Sequence, residues 1–175
     1  MRWFFLIATG LLIGGVLHIV SLLAVPVVAP RDAYSRVREL GPENTFVKID
    51  AEKADGLPFL DPAFLHLACR FDLRDGPMRV SIPLASDYIS ASFYTRDAVA
   101  FFSLNDRSAT GRILEIDLRD ANDEASKATE VRPGSVLVMS PEPLGFVLVR
   151  ALAPSPSTRK TIQTELARSV CVPAN

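Results

Sequence analysis

The chain has few of the residues from which most catalytic and metal sites are built. Its 175 residues contain only two cysteines and two histidines, and these form no cluster with metal-ligand spacing. No glycine pattern matches a phosphate-binding loop, and no serine is framed as a hydrolase nucleophile. The sequence therefore predicts no catalytic residue, no metal site and no cofactor.

Charge of one sign is nowhere concentrated. No run of five like charges occurs, and the residues after position 30 include 18 basic and 20 acidic side chains. Proteins that bind nucleic acid usually carry a basic patch or an excess of positive charge. This composition therefore argues against a nucleic-acid partner.

No charged residue occurs between Trp3 and Pro30. Residues 4–25 are an apolar run of 22 residues, and a helix of that length is about 33 Å long, enough to cross a hydrocarbon core of about 30 Å. Trp3 is typical of a membrane interface, and Pro26 and Pro30 are expected to end the helix. Residues 1–30 are therefore predicted to be a transmembrane anchor in the lipid bilayer.

A cleaved signal peptide is the alternative for this segment. Its apolar stretch is usually about 7–15 residues long and precedes a cleavage site of small residues. Residues 27–29 (Val-Val-Ala) match such a site poorly, and a proline follows them directly. An uncleaved anchor is therefore the favoured interpretation.

The basic residues beside the anchor give a weak signal about its orientation. Only Arg2 precedes the apolar run, while Arg31, Arg36 and Arg38 follow it, which favours a cytoplasmic domain by the positive-inside rule. Long domains cross the membrane largely regardless of charge, and a cysteine pair favours an oxidising compartment. We predict a single-pass inner-membrane protein with its soluble domain in the periplasm.

One side of the predicted membrane helix carries small and polar residues. Gly10, Gly14, His18 and Ser21 fall within about 80° of one another at 100° per residue. The two glycines form a small-xxx-small pattern that lets two helices approach closely, and an ionisable residue at this depth usually faces protein or water. This stripe predicts packing on a partner helix, in a homo-oligomer or with a companion protein. The alternative is coincidence, because glycine is common in membrane helices.

After residue 44, apolar and polar residues alternate with the period of β-strands. In residues 63–73 the odd positions, such as Leu65, are apolar, while His66 and Arg70 fall on the opposite face. Residues 78–84 alternate in the same way, and the intervening Asp-Gly-Pro predicts a hairpin between the two segments. About eight such segments predict an all-β domain over residues 45–175, a two-sheet β-sandwich of jelly-roll or Greek-key type.

Two later pairs of segments refine this prediction. Residues 88–95 and 99–105 are two further predicted strands, separated by Arg96-Asp97. Residues 135–139 and 146–152 are more uniformly apolar, as expected of central strands.

Two short helices are expected at the ends of the soluble domain. Residues 31–44 are a juxtamembrane linker or contain a short helix, with Tyr34 and Val37 on one face. Ser157 and Thr158 are predicted to cap a C-terminal helix over residues 159–170. That helix would end at Cys171.

The two cysteines are predicted to form a disulfide. Cys69 lies on the strongest predicted strand and Cys171 closes the C-terminal helix, so a bond between them would tie the two ends of the domain together. The alternative is two free thiols, with Cys69 a small buried apolar residue.

Two groups of residues are weak candidates for a ligand site. Asn105, Asp106 and Arg107 are polar and follow an apolar strand, but a turn in which Asn and Asp bond their own backbone is favoured. Tyr88 and Tyr94, with Phe93 between them in sequence, suggest the floor of a sugar site, although aromatic residues on strands usually serve packing.

Several short motifs resemble a bacterial family, domain of unknown function 1254. Over residues 61–107 the matching pieces are Cys69-Arg70-Phe71-Asp72-Leu73, Gly76-Pro77, Tyr88-Ile89-Ser90 and Ser103-Leu104-Asn105-Asp106-Arg107. The apolar stretch 146–152 and the last cysteine also fit. The resemblance implies a β-sandwich and a separate companion protein of the sister family, domain of unknown function 1214. It implies no catalytic residues.

These observations predict a membrane-anchored, extracytoplasmic domain that acts as a structural or assembly partner of a companion envelope protein, without enzymatic activity. A small-molecule or glycan binding module of the cell envelope is the alternative. An exposed apolar patch on one sheet would favour the first role. A concave pocket with convergent polar groups would favour the second.

Overall fold

A computed structural model describes residues 1–28, 33–49, 60–109, 111–124 and 130–174. The chain divides into two compact units, Met1–Asp32 and Ala33–Asn175. Within the described ranges, the first unit consists of one apolar helix, and the second contains two β-sheets and short helices.

The N-terminal unit is helix α1, Arg2–Val28. Its apolar part, Arg2–Val25, has a mean hydropathy of 2.3 and is exposed along its whole length. The helix continues through Pro26, so the prediction that this proline ends it is wrong. A proline removes one i→i−4 hydrogen bond, and a break so close to the helix end leaves the preceding turns intact. The helix is long and apolar enough for a membrane anchor or a signal sequence.

Nine strands are described in the second unit. In chain order they are β1 (Val47–Ile49), β2 (Phe64–Asp72), β3 (Met78–Pro83), β4 (Ile89–Thr95), β5 (Ala100–Asn105), β6 (Ile113–Asp120), β7 (Val136–Ser140), β8 (Leu144–Leu152) and β9 (Val170–Pro173). The first sheet has the strand order β1-β2-β8-β4-β5, and the second has the order β7-β6-β3-β9. All described pairs are antiparallel except β6 with β7.

The two sheets contribute to one buried apolar cluster. Alternate residues of β2, such as Leu65 and Phe71, bury their side chains in it, and so do Val80 of β3 and Ile116 of β6. Period-two alternation therefore defines an inner face on each sheet, as predicted. We call the opposite sides the outer faces.

The predicted hairpin between residues 63–73 and 78–84 is wrong. Strand β2 pairs with β1 and β8, whereas β3 pairs with β6 and β9 in the other sheet. The turn at Gly76, whose φ is +128°, carries the chain from one sheet to the other. Alternation shows which face of a strand is buried but not which strand lies beside it, so two segments with the same pattern need not pair.

The strands β4, β5 and β8 agree with the sequence prediction, whereas the position of β7 does not. Strands β4 and β5, which the sequence predicts as two successive strands, pair with each other in antiparallel orientation. Strand β8 is central, as expected, but β7 lies at an edge and pairs only with β6. Its apolar residues therefore reflect burial of one face, with Val138 in the core, rather than a central position.

Helix α2, Ala33–Leu40, belongs to the second unit. Val37 is buried, and Tyr34 packs beside it in a second apolar cluster that includes Ala68 of β2 and Phe146 of β8. Because those two residues lie on the outer face of the first sheet, α2 covers part of that face. The short-helix interpretation of residues 31–40 is thus confirmed over residues 33–40.

The C-terminal helix α3, Pro156–Leu166, is shorter than predicted. Its N-cap is Ser155, which accepts a hydrogen bond from the Thr158 backbone N–H at 3.3 Å, so capping by Ser157 or Thr158 is wrong. The segment predicted to finish the helix instead forms β9, where Cys171 pairs with Val80. Strand pairing on β3 outweighs the helical spacing of its apolar residues.

One glycine is required by close packing. A Cβ atom at Gly145 would lie 2.3 Å from the Tyr94 carbonyl oxygen and 2.5 Å from Cζ of Phe71. Any larger residue at the start of β8 would therefore push apart the central strands of the first sheet.

Candidate functional site

A row of polar residues crosses the outer face of the first sheet. His66 on β2 lies opposite Arg150 on β8, Arg150 lies opposite Ser90 on β4, and Ser90 lies opposite Asn105 on β5. Residues that are directly opposite in a sheet project from the same face. The neighbours of His66, Ser90 and Arg150 in sequence lie in the buried core, as does Leu104 before Asn105, which is why these four residues point outward. We call this set the polar row.

A cavity opens over the polar row. Its volume is about 330 Å³, and the residues that line it are Leu60, Asp61, Phe64, His66, Tyr88, Ser90 and Arg150. We call it the His66 cavity. One side is apolar, where the rings of Phe64 and Tyr88 meet edge to face with centroids 6.3 Å apart. The other side carries the guanidinium, imidazole and hydroxyl groups of the polar row.

His66 is a buried polar residue with an unsatisfied nitrogen. The residue is only 3% exposed, and its Nδ1 atom is buried without a hydrogen-bond partner among the described residues. Burial lowers the pKa of His66 below 6.5, and the positive charges of Arg150 and Arg159 lower it further, against the opposing effect of Asp61. The imidazole is therefore neutral at pH 7. An unpaired buried polar group costs about 1–3 kcal/mol, and among the described residues such atoms also occur in Asn44, Arg70, Arg132 and Ser169.

Arg150 is a second group without a partner. It is exposed at the cavity, and no carboxylate of the described residues forms an ion pair with it. Asp61, the acidic residue of the cavity wall, uses its Oδ1 to accept a hydrogen bond from the Ala63 N–H at 2.8 Å. The cavity therefore offers an unneutralised guanidinium beside an apolar wall.

The cavity holds a serine, a histidine and an aspartate, but they are not arranged for nucleophilic catalysis. A catalytic triad needs a carboxylate on one imidazole nitrogen and the serine hydroxyl on the other. Within the described part of the chain, His66 Nδ1 has no partner. Ser90, His66 and Asp61 therefore do not form a catalytic triad in the part of the chain that the structure describes. Nor does any group of three histidine, cysteine or acidic residues lie close enough to hold a metal in that part of the chain.

The predicted ligand-site residues fall in different places. Tyr88 lines the His66 cavity and is 41% exposed. Tyr94 instead stacks on Phe146, with ring centroids 4.9 Å apart, so its ring face is occupied by packing. Of the two tyrosines, Tyr88 therefore lines the cavity, whereas Tyr94 lies farther along the same outer face beside Phe146.

The tripeptide Asn105-Asp106-Arg107 forms a turn, as favoured. A short 3-10 turn covers Asp106–Ser108, and the Asn105 side chain caps it by accepting a hydrogen bond from the Arg107 N–H at 3.1 Å. Only Asn105 belongs to the polar row, at its edge-strand end. Asp106 and Arg107 do not line the cavity.

The stripe on the membrane helix is exposed along α1. A Cβ atom added at Gly10 or Gly14 would meet no described atom within 4 Å, and the Ser21 hydroxyl donates to the Leu17 carbonyl of its own helix at 2.8 Å. His18 is exposed as well. Helix pairing through this stripe stays a prediction. If Gly10→Ile with Gly14→Ile left association in a membrane two-hybrid assay unchanged, the prediction would be wrong.

The two cysteines lie at bonding distance, as the sequence predicts. The Sγ atoms of Cys69 and Cys171 are 2.02 Å apart, and the bond links residues 102 positions apart in the chain. Because Cys69 belongs to β2 and Cys171 to β9, the bond joins the first sheet to the second. It lies within the core, on the opposite side of β2 from the His66 cavity.

Sequence reasoning missed Ser90 and Arg150 as site residues. Alternation along β2 did place His66 on the outer face, and the same rule places Arg150 on that face of β8. Their meeting depends on the register of three strands that are far apart in the chain. No local signal carries that register.

The fold is similar to those of larger bacterial proteins of known structure. The VPA0106 protein from Vibrio parahaemolyticus matches 80% of this chain with a TM-score of 0.61 and 16% identity, and the match covers 32% of that protein. An uncharacterised protein from Burkholderia cenocepacia matches 79% of the chain with a TM-score of 0.49 and 20% identity, over 39% of its own length. The chain therefore spans about a third of the length of these proteins, and the likeness concerns the fold alone. No protein-family model and no curated protein matches the chain.

Proposed function

We propose that this protein is a single-pass protein of the bacterial inner membrane whose periplasmic domain binds a small molecule of the cell envelope. The domain would be a two-sheet β-sandwich of jelly-roll or Greek-key type, a member of the family of domain of unknown function 1254. The observation that carries the binding role is the His66 cavity, with its unpaired polar groups on one side and its apolar wall on the other.

Helix α1 and the disulfide support the proposed location, and the shared core supports the proposed architecture. Helix α1 is long enough to cross a bilayer, and the Cys69–Cys171 bond fits an oxidising compartment such as the periplasm. The sandwich is supported by the single buried cluster to which both sheets contribute.

The size and lining of the cavity favour a small molecule over an extended glycan. Ligand pockets usually measure about 300–1,000 Å³ and combine apolar walls with a few convergent polar groups. The volume of about 330 Å³ lies at the lower end of that range. An extended glycan would also need open aromatic platforms, and Tyr94 is covered by Phe146.

A role as assembly partner is the second candidate, and the edge strand β5 is the observation that favours it. Edge strands present unpaired backbone groups to a partner strand, and beside this one Val99 is 61% exposed and Phe102 36%. The partner would be the companion protein of the domain of unknown function 1214 family. The outer face of the second sheet favours this role less, because Arg79 and Glu115 separate its exposed apolar residues.

A ligand screen with matched variants tests the binding role. The full chain in nanodiscs would be screened by saturation-transfer NMR against a panel of small neutral, cationic and anionic compounds. We expect at least one class of compound to bind the wild type. Its binding should be lost in Ser90→Phe, because the larger side chain fills the cavity. Ser92→Phe, two residues along the same face of β4, is the control and should bind normally. A panel without a single ligand, or equal binding by both variants, would refute the role.

The location has its own test. Alkaline phosphatase, which is active only where its disulfides form, would be fused to the C-terminus of the full chain. We expect an active fusion and a non-fluorescent counterpart with green fluorescent protein. The reverse pattern would place the domain in the cytoplasm.

A further inference from the structure

We infer that the His66 cavity binds a small organic anion, specifically a carboxylate attached to a short apolar body. This inference rests on the proposed binding function and specifies its ligand class. It follows from the juxtaposition of an unpaired guanidinium, a buried imidazole and an aromatic wall in one cavity of about 330 Å³.

Arg150 supplies the charge that selects an anion. Other arginines on the two sheets have carboxylate partners: Arg70 lies 2.8 Å from Glu43, and Arg119 lies 2.7 Å from Asp117. Arg150 has no such partner among the described residues, although it lies in the middle of a sheet rather than at a loop tip. A guanidinium binds a carboxylate through two parallel hydrogen bonds, which gives both affinity and orientation.

The acidic residue of the cavity does not cancel this charge. Asp61 is engaged by the backbone N–H of Ala63. Arg159 of α3 approaches from the same side, donates a hydrogen bond to the Pro62 carbonyl, and adds positive charge near His66. Among the described residues, two arginines thus act on the site against one aspartate.

The apolar side of the cavity fits a compact, flat or short-chain body. Leu60, Phe64 and Tyr88 form this side, and the edge-to-face contact of the two rings fixes their relative orientation. Tyr88 and Ser90 add hydroxyl groups at the border between the two sides. A bare inorganic ion would leave the aromatic wall unused, so a carboxylate with an apolar body fits better than phosphate.

His66 couples binding to pH. Its neutral state is favoured by burial and by the charges of Arg150 and Arg159, while Asp61 opposes them. A bound anion offsets the arginine charges and stabilises the imidazolium, whose two nitrogens are both donors. Binding and protonation therefore support each other, and affinity should rise as the pH falls from about 7.5 to about 5.5, where a carboxylate is still ionised.

Calorimetric titration of the full chain in detergent with defined probes tests the inference. Benzoate is the main probe, benzamide is its neutral counterpart, acetate lacks the apolar body, and inorganic phosphate is the alternative anion. We expect benzoate to bind at least about tenfold more tightly than each of the others, the scale of a charge-assisted pair. Arg150→Gln should weaken benzoate about tenfold or more without changing benzamide. Arg79→Gln, on the outer face of the second sheet, is the matched control and should change neither.

The outcomes separate this inference from the proposed function. Equal binding of benzoate and benzamide, tighter binding of phosphate, or an Arg150→Gln variant that binds benzoate normally would each overturn the anionic class while leaving a binding module in place. Failure of all four probes, together with a failed screen of neutral and cationic compounds, would overturn both. A benzoate affinity that rises at low pH in the wild type but not in His66→Phe would support the coupling, and the same pH dependence in both would overturn it.

Discussion

The outer faces of both sheets carry polar and charged residues. On the second sheet these charges form ion pairs, whereas on the first sheet some polar groups have no partner among the described residues. On the second sheet, Arg119 and Asp117 are both buried and lie 2.7 Å apart. The hydrogen bond to Asp117 holds the pKa of Arg119 above its ordinary value. Arg79 lies 3.5 Å from Glu115 on the same face. Each charge there is matched by a neighbour on its own or the next strand.

On the first sheet the pairing is divided. At one end of β2, Arg70 forms an ion pair with Glu43 at 2.8 Å and lies over the ring of Tyr34 at 5.6 Å, although its Nε atom has no hydrogen-bond partner among the described residues. At the other end, His66 lies opposite Arg150 on the adjacent strand β8. Among the described residues, His66 Nδ1 has no hydrogen-bond partner and Arg150 has no carboxylate partner. Paired charges hold α2 and the strands in place. Polar groups that converge on a cavity without a partner lower the stability of the fold. Such destabilising groups are typical of binding sites.

The largest effect is expected from the bond that joins the two sheets. Replacing both cysteines, Cys69→Ala with Cys171→Ala, should lower the free energy of unfolding by about 2–4 kcal/mol, since the bond closes a long loop. Urea unfolding of the full chain in detergent, followed by far-UV circular dichroism, measures it. Reduction of the wild type should give the same loss. A change below about 1 kcal/mol would mean that the sheets hold together without the bond.

The second prediction sets a paired residue against an unpaired one. Asp117→Ala removes the carboxylate partner of the buried Arg119, which keeps its hydrogen bond to the Glu130 carbonyl, and should cost about 3 kcal/mol of stability. Arg150→Gln removes an exposed charge that has no partner and should stay within about 0.5 kcal/mol of the wild type. The same urea titration compares them. Similar losses of stability in the two variants would contradict the proposed difference between paired and unpaired charges on the outer faces.

The third prediction concerns the unsatisfied nitrogen of His66. His66→Phe keeps a ring against Phe64 and removes a buried polar group, so stability should be unchanged or rise by up to about 1 kcal/mol. Arg70→Gln, which breaks a pair on the same strand, should be destabilising. Loss of stability in His66→Phe comparable to that of Arg70→Gln would show that His66 is a structural residue.

The smallest effect is a dependence of stability on pH. Because the pKa of His66 is lower in the folded protein than its ordinary 6.5, the unfolded chain binds the proton more readily. This contribution to stability is therefore complete above about pH 7 and is lost as the pH falls below about 6.5. Urea midpoints at pH 7.5 and 5.5 should differ more in the wild type than in His66→Phe. Equal differences would assign the pH effect to other groups.

The sequence predicted the faces of the strands better than their neighbours. Alternation placed Leu65 in the core and His66 outside it because a strand turns each successive side chain to the opposite side. The same signal could not show that β2 pairs with β8 rather than β3, since that choice depends on contacts between distant segments. The predicted end of the C-terminal helix at Val170 is wrong for a related reason. Pairing with β3 makes this segment a strand instead of a helix.

The candidate site was partly predictable for the same physical reasons. Tyr88 was identified as an aromatic residue of a strand end, and His66 as a polar residue of an outer face. Alternation assigns His66 to that face but carries no information on its burial, and in the structure the residue is only 3% exposed. The polar row itself arises only when three strands are aligned in register.

The pKa of His66, with and without an anion, is the most direct test of the account. The chain has only two histidines, so a His18→Gln variant of the full protein leaves one imidazole whose NMR signals can be followed with pH. The account predicts a pKa below 6.5 in the free protein and a rise when benzoate is added, with a smaller rise in the Arg150→Gln background. A pKa at or above 6.5 that benzoate does not move would contradict it.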